Sequence, residues 1–135
     1  MAKVANASIV FDAEAVSRAV RHDRYFRRLI TNAWENRFPI VISAATLVEV
    51  TYPRIDRAAL RWVRSRLEIM PLSEHVADDA SQLLRDANLH GHRHAIDAMV
   101  CATALRLGDD VAIYTSDPTD LVRLVGDRAA IVPIR

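Results

Sequence analysis

The sequence predicts an α/β fold: a mostly parallel sheet in a three-layer arrangement, with helices on both faces. Three observations predict it. Five short β-like runs alternate with helical stretches, the pattern of parallel sheets joined by helical crossovers. Capping residues and glycines punctuate the boundaries between them. No repeat, linker or low-complexity segment interrupts the pattern, so one domain over residues 1–135 is expected.

In order, Ser8–Phe11 is a short apolar run and the first expected strand. Ala13–Arg21 reads as a helix. Asp23–Arg37 reads as a second, with Tyr25, Leu29 and Ala33, then Phe26, Ile30 and Trp34, at helical spacing. Pro39–Ile42 is the second strand, and Ser43 is placed to cap a short helix through Val50. Pro53 breaks the chain. Ile55, Ala59, Trp62 and Val63 then mark the buried stripe of a helix with arginines on its other faces. Leu67–Leu72 is a brief strand. Ser73 opens a helix with the stripe Val76, Ala80, Leu83, Leu84 and Ala87, expected to end near Gly91. His94–Leu107 is a strongly apolar helix ending at Gly108. Val111–Thr115 is a strand, Asp117–Val125 a helix with Pro118 at its first position, and Ile131–Ile134 a last, edge strand. Ligands of such sheets bind at the carboxyl ends of the strands.

Composition excludes several classes. Half of the residues are hydrophobic (51%), which argues against disorder. A chain of this length buries roughly two-thirds of its unfolded surface, enough to fold without disulfide or structural metal. The longest apolar stretches, around Ile40–Val48 and Ala98–Leu105, are too short to span a membrane, and no apolar signal core follows Lys3. A cytoplasmic location is expected, and the single cysteine, Cys101, agrees with it. Lys3 is the only lysine; the remaining 17 basic residues are arginine. With three glycines, Gly91, Gly108 and Gly126, no phosphate-binding P-loop can be written, and phosphotransfer sites built on acids plus a buried lysine are excluded too.

Four carboxylates stand out. Asp12 follows Ser8-Ile9-Val10-Phe11, and Asp117 follows Val111–Ser116; either acid can serve as a helix cap, and a cap can direct its other oxygen at a metal. Glu49 lies in Thr46-Leu47-Val48-Glu49-Val50, one turn after a strand, on a helix edge that is either exposed or turned to the site. Asp97 sits among apolar neighbours, where an ionised carboxylate is costly unless paired with Arg93, four residues earlier, or bound to a metal. All four can meet at one sheet edge. Two carboxylates about 5 Å apart repel by roughly 3 kcal/mol at an effective dielectric near 20, so four together need divalent cations. All-oxygen ligands suit Mg2+ or Mn2+ over zinc. Such ions activate a water and stabilise the leaving oxygen in phosphodiester cleavage.

These residues resemble the PIN-domain family, in particular VapC-type toxins of bacterial toxin–antitoxin pairs. The matching segments are Ile9–Asp12, Leu47–Val50, Ala95–Leu105 with Gly108, and Thr115–Leu121, in fitting order and spacing across nearly the whole chain. The resemblance implies a PIN-like five-stranded parallel sheet and Mg2+- or Mn2+-dependent cleavage of single-stranded or structured RNA. It also implies homodimers and inhibition by a VapB-like antitoxin. Asp12 and Asp97 would be the firmest metal ligands, completed by Glu49 and Asp117 directly or through water. Asp120 would be an auxiliary acid or a helix cap, and Thr115 or Ser116 would orient a phosphate. No conventional general base is identifiable, so a metal-activated water is the expected nucleophile. One position departs from the pattern: the family usually has a small or hydroxyl residue where this chain has Glu14, whose carboxylate points either into the site or to solvent.

Other features are read more plainly. His90-Gly91-His92-Arg93-His94 lacks the partners of a metal motif and reads as a solvated loop. Cys101 reads as a buried small residue. Two arginine clusters, Arg18, Arg21, Arg24, Arg27 and Arg28, then Arg54, Arg57, Arg61, Arg64 and Arg66, are solvated helix faces or phosphate contacts along RNA. The spacing of Tyr25 and Phe26 reads as core before base stacking. Beside the endoribonuclease toxin stand two alternatives: a catalytically inactive PIN-like module that binds RNA or protein, and an unrelated α/β hydrolase with one metal.

Overall fold

The computed structural model describes residues 7–135, so Lys3 lies outside the described residues. The elements follow in the order β1 (Ser8–Phe11), α1 (Ala13–Val20), α2 (Arg24–Glu35), β2 (Ile40–Ser43), α3 (Ala44–Glu49), α4 (Arg57–Ser65), β3 (Glu68–Met70), α5 (Glu74–Ala87), α6 (Gly91–Leu105), β4 (Val111–Thr115), α7 (Pro118–Val125) and β5 (Ala130–Pro133). The five strands form one all-parallel sheet in the order β3-β2-β1-β4-β5, with Val10 of β1 level with Val41 on one side and Ile113 on the other. The fold class expected from the alternation of elements is therefore borne out, with β5 at an edge.

Strand side chains alternate between the two faces. Val10, Val41 and Ile113 join residues of α5, α6 and α7 in one core cluster. Phe11, Ile40 and Ile42 join α1, α2 and α4 in the other. Phe11 anchors the second cluster through edge-to-face contacts with Phe26 and Tyr114, both at 5.7 Å. Helix starts follow local chemistry. Asp12, Asp23, Asp56 and Ser73 each accept a hydrogen bond from the backbone N–H three residues on, at 3.0–3.2 Å.

One boundary and one helix face differ from the sequence expectation. α5 ends at Asn88, which takes a left-handed conformation (φ 56°), and Gly91 opens α6 instead of closing α5. Asparagine tolerates this region because its short polar side chain bonds locally. On α2 the buried stripe is Phe26, Ile30 and Ala33, while Tyr25 is 58% and Trp34 53% exposed. Both aromatics sit just outside the face that meets α1 and the sheet.

The chain builds β1, β2 and β3 outward in one direction, then crosses back to place β4 and β5 on the other side of β1. The strand order thus reverses between β1 and β4. At such a point the connections diverge to opposite sides and leave a crevice beyond the carboxyl ends of the strands.

Candidate metal centre

Asp12 follows β1 directly, and Asp117 lies two residues beyond β4, so both stand at that crevice. Asp12 is held from three directions. Its backbone N–H donates to the Tyr114 carbonyl at 3.0 Å; its Oδ1 accepts from Ala15 N–H at 3.1 Å, and its Oδ2 from Ser116 N–H at 3.0 Å. It caps α1 and clamps the β4–α7 turn at once. Each carboxylate oxygen retains a second lone pair.

Asp117 is exposed and its side chain caps nothing; α7 instead begins on Pro118. The turn is held by Asp117 N–H donating to Thr115 Oγ1 at 2.9 Å. Thr115 is fully buried, so it positions Asp117 and cannot touch a phosphate, whereas Ser116 is exposed and lines the cleft.

Glu49 closes α3, a short helix started by Ser43 Oγ accepting from Ala45 N–H at 3.2 Å. Asp97 projects from α6, whose Ala98 and Val100–Ala104 are buried. The four acids line one cleft of about 470 Å3 with Glu14, Ser17, Arg93 and Ser116. Larger hollows lie along α2 and beside Trp34, but no such group of carboxylates lines them.

The electrostatics follow from this crowding. Burial, then the charges of Asp117, Asp120 and Glu49, push the Asp97 carboxyl up to about 6, against a smaller opposing effect of His94. Partial desolvation and the Asp12 carboxylate raise Glu49, although much of its outer surface is exposed. Burial and Asp120 raise Asp117. Arg93 lines the cleft but, among the described residues, forms no ion pair with any of the four acids. The arginine partner considered for Asp97 is therefore not engaged.

Glu14 lines the cleft but spends its charge on arginine: its Oε2 accepts from Arg18 Nε at 2.7 Å and lies 3.5 Å from Arg21. The histidine segment divides. His90, His92 and Arg93 are exposed, but His94 is half-buried, and its Nδ1 lies 3.5 Å from Asp120 Oδ2. One ligand atom from each of His94, Asp97 and Asp120 lies within 4.8 Å of the others. Sequence reading dismissed His94 with its neighbours. Its spacing of three from Asp97 was the available signal, since it puts both on one helix face. His94 also marks a local break in α6, its own backbone being non-helical (φ −118°, ψ 17°).

Cys101 lies deep in the first core cluster, where burial pushes its thiol up to about 12. Of the arginines, Arg27 donates to the Ala19 carbonyl at 2.7 Å and stacks on Trp62 at 4.6 Å, and Arg66 lies over Trp34 and Trp62 at 4.9 and 5.3 Å. Asp56 pairs with His22 rather than with arginine.

The donor set fits a hard divalent cation: crowded carboxylate oxygens, raised by burial and by neighbouring charge, with no arginine paired to any of the four acids among the described residues. No helix among the described residues is long and apolar enough to cross a membrane.

Comparison with curated protein sequences finds no match. Among solved structures, the fold is similar to a chain of VapBC2 from Rickettsia felis bound to a DNA fragment from their promoter. The TM-score is 0.67 at 16% identity, covering 94% of this chain and 98% of that one. A family model for the PIN domain matches residues 9–124, from the first strand through the last helix and across all four acids. The chain belongs to the PIN-domain family.

Proposed function

We propose that this protein is a Mg2+- or Mn2+-dependent endoribonuclease, the toxin of a VapBC-type pair, restrained by a VapB-like antitoxin and acting in the cytoplasm as a homodimer. The observation that carries the reading is the convergence of Asp12, Glu49, Asp97 and Asp117 on one cleft at the strand-order reversal, with Asp97 pushed up to about 6 by burial first and then by its acidic neighbours. Family membership and the fold shared with VapBC2 support it.

Asp12, Glu49, Asp97 and Asp117 would hold the cation, and Asp120 with His94 borders the site. When bound, a divalent ion supplies Lewis acidity toward a phosphodiester and lowers the pKa of water. The chain's own residues set the stage. Two backbone N–H groups fix the Asp12 carboxylate, so its orientation needs no reorganisation when substrate arrives. Thr115 holds the turn that presents Asp117. Arg93 is the cationic group in the cleft and is available to a phosphate.

The test is RNA cleavage by wild type and Asp97→Asn, with Mg2+, with Mn2+ and with chelator. Cleavage is expected only for wild type with added metal. Equal cleavage by the variant rejects the site, and RNA binding without cleavage in either metal identifies a non-cutting module instead. A neighbouring upstream reading frame for a small DNA-binding protein would support the toxin assignment.

A further inference from the structure

We propose that Tyr25, with the hollows on its two sides, forms a subsite for a nucleotide of single-stranded RNA flanking the cleavage point. The proposal rests on the ribonuclease reading and deepens it. Helical spacing placed Tyr25 in the core with Phe26. Instead, Phe26 is 4% exposed and Tyr25 is 58% exposed. The Tyr25 ring stands edge-to-face on Phe26 at 5.1 Å, and Phe26 is in turn locked against Phe11 and Tyr114, so an outward ring is braced from the core.

Tyr25 separates two hollows. One, about 380 Å3, lies toward the ends of β4 and β5 and is lined by Arg18, Asp23, Tyr114 and Pro133. The other, about 670 Å3, runs along α2; Arg24 and Arg28, which form no ion pairs among the described residues, line it beside Tyr25, and Glu35 lies at the far end of the helix. Asp23 caps α2 and lies 3.9 Å from Arg18, which Glu14 also holds, so the guanidinium groups left to a phosphate are those of Arg24 and Arg28. Arg18 also joins this surface to the acidic cleft, since its partner Glu14 lines that cleft. An exposed aromatic ring beside guanidinium groups unpaired among the described residues, and continuous with the candidate site, matches single-stranded RNA, with a base stacked on the ring and phosphates on Arg24 and Arg28.

The test measures binding of a fluorescein-labelled single-stranded RNA of random sequence by anisotropy, at fixed salt and in chelator. Tyr25→Ala is expected to weaken binding at least about fivefold, the lower end of one base–aromatic stack, while Tyr25→Phe keeps wild-type affinity. The same RNA carrying 4-thiouridine should crosslink to the start of α2. Unchanged affinity in a Tyr25→Ala protein with wild-type circular dichroism overturns the proposal, as does failure of wild type to bind the RNA. If wild type cuts RNA but Tyr25→Ala binds and cuts it equally well, the subsite falls and the nuclease stands. If binding depends on Tyr25 but no metal supports cleavage, the nuclease falls and the subsite stands.

Discussion

Replacing Asp97 with Asn is expected to stabilise the metal-free protein while abolishing its cleavage of RNA. The Asp97 carboxyl titrates at about 6 instead of its ordinary 3.8. For an acid shifted upward, the folded state holds the proton more tightly than the unfolded chain does. Stability is therefore unaffected below the ordinary value, falls as pH rises from near 4 to near 6, and stays lowered above that. Taken whole, the shift corresponds to about 3 kcal/mol. The carboxyl faces an open, hydrated cleft, which screens the effect to roughly 1–2 kcal/mol. Asn removes the charge at nearly constant shape and recovers that amount.

For a domain of this size the gain amounts to roughly 3–8 °C in Tm. Thermal unfolding followed by circular dichroism in chelator at pH 8 reads it directly, and near pH 4 the difference between the proteins should shrink toward zero. Adding Mg2+ or Mn2+ should raise the Tm of wild type by mass action and leave the variant unmoved. A variant no more stable than wild type at pH 8 in chelator would refute the reasoning. It would mean that the Asp97 charge is already compensated within the chain, and the demand for an external cation would disappear.

Asp12→Asn should keep the α1 cap and lose cleavage, whereas Asp12→Ala should lose both, with about 1 kcal/mol less stability in urea unfolding. Thr115→Val removes the acceptor for Asp117 N–H; a loss of roughly 1–2 kcal/mol and a fall in kcat larger than any rise in KM are expected. Glu14→Gln releases Arg18 and Arg21, so RNA affinity should rise in anisotropy measurements while cleavage is retained; a tenfold loss of cleavage would place Glu14 among the metal-site acids instead. Cys101, with its thiol raised to about 12, should resist a thiol-reactive dye in the native protein and react only after denaturation.

Much of the candidate site is legible in the sequence because its acids sit where simple rules look. Asp12 and Asp117 follow apolar strands, and Asp97 interrupts an apolar helix, so each is conspicuous in a short window. What escaped depended on three-dimensional detail. His94 lies 3.5 Å from Asp120 at a point where its own backbone is non-helical, and no periodicity encodes that break. Spacing gave the buried side of α2 but not its width. Tyr25 and Leu29 lie one position from the stripe, and the way α1 and the sheet meet α2 decides that Leu29 is partly covered and Tyr25 is not. The end of α5 was missed because Asn88 does what a glycine does more often, while Gly91 begins the next helix.

The arrangement of arginines bears most directly on whether the acids are a site or a structural network. A chain with 17 arginines has ample guanidinium to neutralise four carboxylates, and a stabilising network would show them paired. Here the arginines near the cleft do not pair with these four acids. Glu14 draws Arg18 and Arg21 to itself along α1, and Arg93 enters the cleft without pairing with any of the four acids. Glu49, Asp97 and Asp117 meanwhile keep raised pKa values, from burial first and then from the neighbouring carboxylates. The fold tolerates this repulsion because each acid is held by its own backbone device rather than by an opposite charge: a helix cap, a threonine-braced turn, the end of a short helix, the wall of a buried one. A neutralising arginine would relieve the strain and fill the space a cation needs. Among the described residues no arginine pairs with these four acids, as a cation site would require and an ion-pair network would not, and this makes the stability of Asp97→Asn in chelator a more discriminating measurement than loss of activity alone.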